Sequence, residues 1–430
     1  MLLKGKDRGD NAPRSYLFPL IFCVLFIFAG CSVGPALDVS NFTARTRHTT
    51  VAFGTVSILR LYEDFSADVN NARFERVWAE TRALLVELDG IFSHNIETSD
   101  VSRFNALEYG ESIKISHHMA EMVKAARELY EKTDRLFDPT VYPLVDLWGF
   151  TPRFRAIRFV PVMPYDRALG REELPSDEYV EAFLRLVYFD GIVLGGNKAE
   201  GFTLTKMVPP VVVNGVTYQA KLGFGALVKG YATNLVYEII AREGFEFGYF
   251  SCGGSSMVLL NGMDYREDGA YEFNLRLRKP RTGQTQETAF AAIRTGSQSL
   301  STSGDYDHAF FVDGIRYSHI FDPRTGRPIN LPVTGPQRGL ASATVLGADG
   351  VHLEGLSTAL LIMTLTEAID FVNQYDDEDI MVVLVYYKSG YEFYEIITNI
   401  PHLINILDPA YILASRLDTY GNIKYTGVAN

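Results

Sequence analysis

The sequence predicts an α+β fold, built as one large or two intimately joined domains. Three observations carry this. Apolar residues recur at helical spacing in some windows and in strand-like runs in others. The two kinds of segment are interspersed without a regular βαβ rhythm, which disfavours a doubly wound parallel sheet. The 430 residues, 47% of them hydrophobic, are enough to bury a large core.

In chain order, Thr55 to Tyr62 reads as the first strand. Phe74, Val77, Trp78, Leu84, Leu85, Leu88 and Ile91 form the apolar stripe of a helix with one buried face. A second helix is expected from about Met119 to Leu136. Residues 151–220 are the least readable stretch, with several prolines and one helix at Asp177 to Leu186. A third helix begins near Ala226 and stops at Gly244, a residue suited to the left-handed position after a helix end. Strand-like runs follow at Phe247 to Cys252, Met257 to Leu260, Glu272 to Arg278, Ala341 to Leu346 and Met381 to Tyr387. A fourth helix is expected from about Leu353 to Val372. No internal repeat or low-complexity segment is present.

The first thirty residues read as a targeting segment. Lys4, Lys6, Arg8 and Arg14 precede an apolar run, Tyr16 to Ala29, too short for a comfortable membrane span. The run ends in Phe28-Ala29-Gly30-Cys31. That pattern resembles a bacterial lipoprotein signal, in which Cys31 is lipidated and becomes the first mature residue; an uncleaved anchor is the other reading. The expected organisation is a signal over 1–30, a lipidated cysteine and tether over 31–46, and one domain over 47–430, held on the periplasmic side of a membrane. The formal charge is −12, and removing a net-basic signal makes the remainder more acidic. An acidic chain without a basic patch argues against nucleic acid as the natural partner. Of three cysteines only Cys252 would remain unmodified, so no internal disulfide is expected. Its apolar, glycine-flanked setting suits a buried small hydrophobe.

Chemistry concentrates in five segments. Ser318 to Ile329 contains His319, Asp322 and Arg324 among Pro323, Gly326 and Pro328. It reads either as a turn between two strands with His319 on a backbone carbonyl, or as a shaped loop presenting those groups to a phosphorylated ligand. Gly223 to Gly230 is glycine-rich and runs into a helix start, where free N–H groups and Lys229 can meet a diphosphate. A plain tight turn fits equally well. Glu354 and Thr358 lie four apart on one helix face, offering hard oxygen donors of the kind Mg²⁺ uses, or else an exposed glutamate on an ordinary helix.

Taken in order, these pieces resemble the ApbE family, the FAD:protein FMN transferases, over roughly residues 50–390. The carriers are Phe53-Gly54-Thr55, Phe137-Asp138-Pro139-Thr140 with Leu147-Trp148-Gly149-Phe150, Lys229-Gly230-Tyr231-Ala232, Thr302-Ser303-Gly304-Asp305-Tyr306, the Ser318 to Ile329 segment, and Glu354-Gly355-Leu356-Ser357-Thr358. The resemblance implies a two-lobed α+β fold with mixed and antiparallel sheets and FAD in a cleft between lobes. It implies a Mg²⁺-dependent reaction in which FMN is transferred to a threonine of an exported or membrane redox subunit and AMP leaves. His319 would be the general base, with Asp322 orienting it or touching flavin. Metal ligands would be Glu354, Thr358 and the Ala226 carbonyl. FAD contacts would fall at Phe53, Asn95, Leu136, Phe137, Asp138, Gly223, Lys229 and Ile320.

Four positions depart from the family's pattern. Phe53 stands where Met is usual, one apolar contact for another. Asn95 replaces a tyrosine in many members, removing roughly 0.5–1.5 kcal/mol of ring attraction and admitting water. Gly223 replaces an acidic residue. Glu354 replaces an aspartate, displacing the carboxylate by about 1.5 Å. Three functions follow as alternatives: the transferase; a Mg²⁺-dependent FAD pyrophosphatase yielding FMN and AMP, favoured by Asn95; and a flavin-binding lipoprotein without turnover, favoured by Gly223 and Glu354.

Overall fold

The computed structural model describes residues 39–151, 165–166, 171–172, 174–265, 271–280, 289–306, 308–312, 315–332, 338–375, 380–388 and 394–427. The expected signal segment, Cys31 and the first part of the tether lie outside the described residues.

Period-two patterning and turn glycines build a nine-stranded sheet. Its strands are β1 (Thr43–Thr49), β2 (Ser57–Glu63), β3 (Gly248–Cys252), β4 (Ser256–Leu259), β5 (Gln298–Gly304), β6 (Arg338–Gly347), β7 (Met381–Lys388), β8 (Tyr394–Thr398) and β9 (Tyr411–Leu413). They lie side by side in chain order, antiparallel throughout except for the parallel β8–β9 pair. Strand β1 begins inside the stretch expected to be tether, because Thr43 to Thr49 pair residue for residue with Glu63 to Ser57.

Both faces of this sheet are covered. Along β7, Val382, Leu384 and Tyr386 enter the main core, while Val383 and Val385 enter a second one. The main core lies under helices α1 (Asp68–Phe92), α2 (Asp100–Asn105), α3 (His117–Lys132), α4 (Val228–Arg242) and α5 (Gly350–Ile362). The second core joins the nine-stranded sheet to a four-stranded one that includes Tyr271–Arg278, Ala289–Thr295 and Ile404–Ile406. The result is three layers, helices on sheet on sheet. A three-stranded sheet of Ala309–Val312, Ile315–Asp322 and Arg327–Pro332 carries the His319 segment.

Helix α1 buries Phe74, Val77, Leu85 and Leu88 as its stripe predicts. Helix α3 stops four residues short of the expected end, since Asp134 and Arg135 both take left-handed backbone angles. The expected Leu353–Val372 helix is two helices. Met363 and Thr364 break it, and Thr364 with Glu367 forms a capping box for Leu365–Gln374. Helix α5 is apolar nearly all round and buried accordingly.

Candidate active site

Helices α4 and α5 cross at glycine. A Cβ on Gly230 would lie 2.1 Å from the Gly350 carbonyl oxygen, so neither backbone tolerates a side chain there. Asn234 of α4 fixes the crossing, donating to Asp349 at 2.7 Å and accepting from the Gly350 N–H at 2.8 Å. One turn further along α5, Glu354 therefore faces the start of α4. It is only 3% exposed, not a solvated helix-surface glutamate.

Both oxygens of the Glu354 carboxylate have partners within the protein. Its Oε2 accepts from the Gly230 N–H at 2.6 Å, and its Oε1 pairs with the Lys229 ammonium. Helix α4 has no side-chain cap of its own, so a carboxylate from α5 performs that role. Lys229 also donates to the Gly225 carbonyl at 3.0 Å. Burial works against its charge, but the Glu354 carboxylate outweighs it and holds the Lys229 pKa above its ordinary value. The N–H groups of Leu227 and Val228 both donate to the Phe224 carbonyl, at 2.9 and 3.0 Å. The helix start expected to offer open N–H groups to a diphosphate has spent at least three of them internally.

This tests the expected metal set. Mg²⁺ wants near-octahedral oxygens at roughly 2.0–2.1 Å and an anionic site. The one carboxylate expected of it, Glu354, already holds an ammonium and an N–H. Thr358 donates back to the Glu354 carbonyl at 3.1 Å and lies 3.1 Å from the Ser303 hydroxyl. Among the described residues no three His, Cys, Asp or Glu side chains gather around a metal position. The residues as arranged do not fit a resident divalent cation.

His319 lies in Ile315–Asp322, where pairing with the following strand is irregular between Tyr317 and Phe321. Such an irregularity re-aims a side chain out of the ladder. Its backbone N–H and its Nδ1 both reach the His308 carbonyl, at 2.9 and 3.1 Å. A carbonyl only accepts, so Nδ1 carries the proton and the lone pair of the neutral ring is on Nε2. The strand-turn reading of this segment and its imidazole-presenting reading thus coexist. Asp322 does not orient His319: both of its oxygens are taken by Arg324, whose Nε and Nη2 lie 3.0 and 2.9 Å away. Arg324 continues to Glu367 at 3.0 Å. Gly326, at φ +68°, closes the turn.

The expected FAD contacts divide by burial. Leu136, Phe137 and Ile320 sit in the main core, with little side-chain surface left for a ligand. Asp138 is buried and caps its own turn, accepting from the Thr140 N–H at 2.7 Å; burial raises its carboxyl to about 6 against those hydrogen bonds. Phe53, half-buried, takes a left-handed φ of +56°, held by its N–H on Asp89 at 2.9 Å. Asn95 is exposed. Gly253, at φ +71°, lies against Thr55 and the Lys229 stem, gathering the 53–55 turn, the β3–β4 turn and Lys229 into one place.

Sequence reasoning missed Tyr142. It stacks on His94 at 3.9 Å between ring centroids, and a Cβ on Gly223 would lie 2.6 Å from its ring. The space a side chain at Gly223 would enter is filled by this ring. Burial pushes the His94 imidazole down to about 4, so it is neutral near pH 7. Asn105 grips Leu222 through two hydrogen bonds of 2.7 and 3.0 Å, fixing the loop beside Gly223. Position 142, two residues after the Phe137 to Thr140 motif, was the available signal.

The ApbE family profile matches residues 53–384. The chain is 31% identical over 284 residues to an FAD:protein FMN transferase of Vibrio cholerae serotype O1, covering 66% of this chain and 72% of that protein. It is 28% identical over 319 residues to the Haemophilus influenzae FAD:protein FMN transferase, covering 74% and 80%. Among solved structures, the flavin transferase ApbE from Vibrio cholerae superposes with a TM-score of 0.59 at 25% identity, over 81% of this chain and 98% of that one. The α+β fold is shared, and the chain belongs to the ApbE family.

Proposed function

We propose that this protein is an FAD:protein FMN transferase. The curated relatives carry that activity in their names, and one observation supports it in this chain: His319 is held by the His308 carbonyl with its basic nitrogen at Nε2. In this reading His319 accepts the proton of an incoming hydroxyl on an acceptor protein. The hydroxyl oxygen bonds to the FMN-side phosphorus, the bond from that phosphorus to the bridging oxygen breaks, and AMP leaves with that oxygen. The acceptor group is a threonine. Phe53, the Tyr142–His94 stack and the backbone of 136–138 are the surfaces that position FAD, and Lys229 faces its diphosphate. Mg²⁺ at Glu354, Thr358 and the Ala226 carbonyl is what the resemblance implied. In this structure Glu354 instead holds Lys229 and the Gly230 N–H.

Lipidation at Cys31 and a periplasmic, membrane-held location belong to the same proposal, because exported redox subunits are the acceptors it needs. A second reading, FAD hydrolysis to FMN and AMP, is favoured by the exposure of Asn95 where a covering ring would exclude water. Incubation with FAD and a threonine-bearing acceptor protein, followed by in-gel flavin fluorescence under denaturing conditions, tests the proposal. A fluorescent acceptor band supports it; AMP and free FMN with an unlabelled acceptor refutes it in favour of hydrolysis.

A further inference from the structure

The surroundings of the Lys229 ammonium are those of a cation site. It meets a carboxylate oxygen, Glu354 Oε1, and a loop carbonyl, Gly225 O, at the mouth of the turn that precedes α4. The neighbouring hydroxyls Thr358, Ser303 and Ser357 form a connected set at 2.8 to 3.1 Å, tied to the Glu354 backbone. Carboxylate, carbonyl and hydroxyl are the donor types of an oxygen-ligated divalent ion. Here a lysine of the same chain satisfies the carboxylate and carbonyl.

Three features make this a built arrangement. Gly230 and Gly350 bring the two helices into backbone contact, which sets the reach that Glu354 spans. The longer glutamate contacts both the ammonium and the Gly230 N–H. Gly223 contributes no second carboxylate, and the volume beside it is filled by Tyr142. A dication placed here would face an ammonium at contact distance with one shared carboxylate between them, a like-charge juxtaposition that a buried site opposes strongly.

We infer that the Lys229 ammonium occupies the divalent-cation position of this site, so that the protein holds a ligand diphosphate with a lysine in place of a metal ion. The inference concerns how the site of the proposed transferase binds its substrate and rests on that reading only for the identity of the diphosphate. A lysine presents three donors and one positive charge, enough to bridge a carboxylate and a phosphate oxygen.

The test is made on the full chain in two parts. Mn²⁺ alone, without flavin, is titrated by electron paramagnetic resonance against the wild type, Lys229→Gln and Lys229→Met. The wild type should show no site removed by Glu354→Gln up to millimolar Mn²⁺, and at least one folded Lys229 variant should acquire one, at least tenfold tighter. FAD affinity is then measured by fluorescence in EDTA and in Mg²⁺. Wild-type affinity should be unchanged by Mg²⁺, whereas the Lys229 variants should lose about tenfold in EDTA and regain it with Mg²⁺. A stoichiometric, Glu354-dependent Mn²⁺ site in the wild type overturns the inference, and so does a folded Lys229 variant that gains neither Mn²⁺ nor Mg²⁺ rescue. Neither part reads flavin transfer, so failure of the transferase reading leaves these outcomes interpretable.

Discussion

Gly223 and Tyr142 are a fitted pair: the position a Cβ would take on Gly223 lies 2.6 Å from Cδ2 of the Tyr142 ring, inside any real carbon–carbon contact. The ring is half-buried and stacked on His94, and moving it aside would break that stack. At the glycine where a carboxylate was expected, the neighbouring space is therefore taken by an aromatic ring.

The pair predicts coupling. Gly223→Asp alone should destabilise by about 1–3 kcal/mol through overpacking. In a Tyr142→Gly background the same change should cost far less, giving a coupling energy of about 0.5–3 kcal/mol in a double-mutant cycle. Urea unfolding of the four proteins measures it, and additive costs would mean that the ring moves aside freely.

His319→Asn should lower turnover by about 10²–10⁴-fold, the range for loss of a general base. FAD affinity should be little changed, because the imidazole is proposed to act on the incoming hydroxyl. Equilibrium FAD binding beside single-turnover AMP release separates the two; equal losses in both would place His319 in ligand binding instead.

Asp138 predicts a pH signature. Its folded pKa, about 6, lies above the ordinary 3.8, so the stability linked to its proton is present in full below 3.8 and is lost as pH rises through about 6. Asp138→Asn keeps an oxygen for the Thr140 N–H and removes the buried charge. The variant should therefore gain Tm relative to wild type at pH 7.5 more than at pH 4.5. A difference independent of pH would show that Asp138 ionises normally in the fold.

Removing Glu354 should be costly whether or not any ligand is present. Glu354→Ala leaves the Lys229 ammonium and the Gly230 N–H without their partner, and breaking such a buried pair from one side costs about 3 kcal/mol or more. Denaturant midpoints in EDTA check this; a cost that appears only with Mg²⁺ present would mean that the carboxylate serves a metal.

What was legible in the sequence was mostly local. The α1 stripe, the Gly244 stop and the strand runs follow from periodicity and turn residues, and they recur in the structure within a few residues. The motif segments were recognisable because glycines and prolines punctuate them. Partnerships were not legible, since they join distant positions. Glu354 meets Lys229 across 125 residues, and Gly223 answers Tyr142 across a loop whose closeness depends on Asn105 gripping Leu222. The pairing of Asp322 with Arg324 was local and still missed, because an aspartate three residues from a histidine invites the wrong partner. Strand β1 escaped notice because its alternation is polar and its partner strand supplies the order.

Transfer of FMN with His319 as the base fixes the ratio of AMP to covalent flavin, and that ratio can be measured. The purified full chain is mixed with FAD, with and without a threonine-bearing acceptor, and AMP, free FMN and flavinylated acceptor are counted over time. One AMP per flavin attached, little AMP without acceptor, and loss of both products in His319→Asn are expected. AMP matched by free FMN in the absence of acceptor, or FAD returned unchanged in every arm, would contradict transfer with His319 as the base.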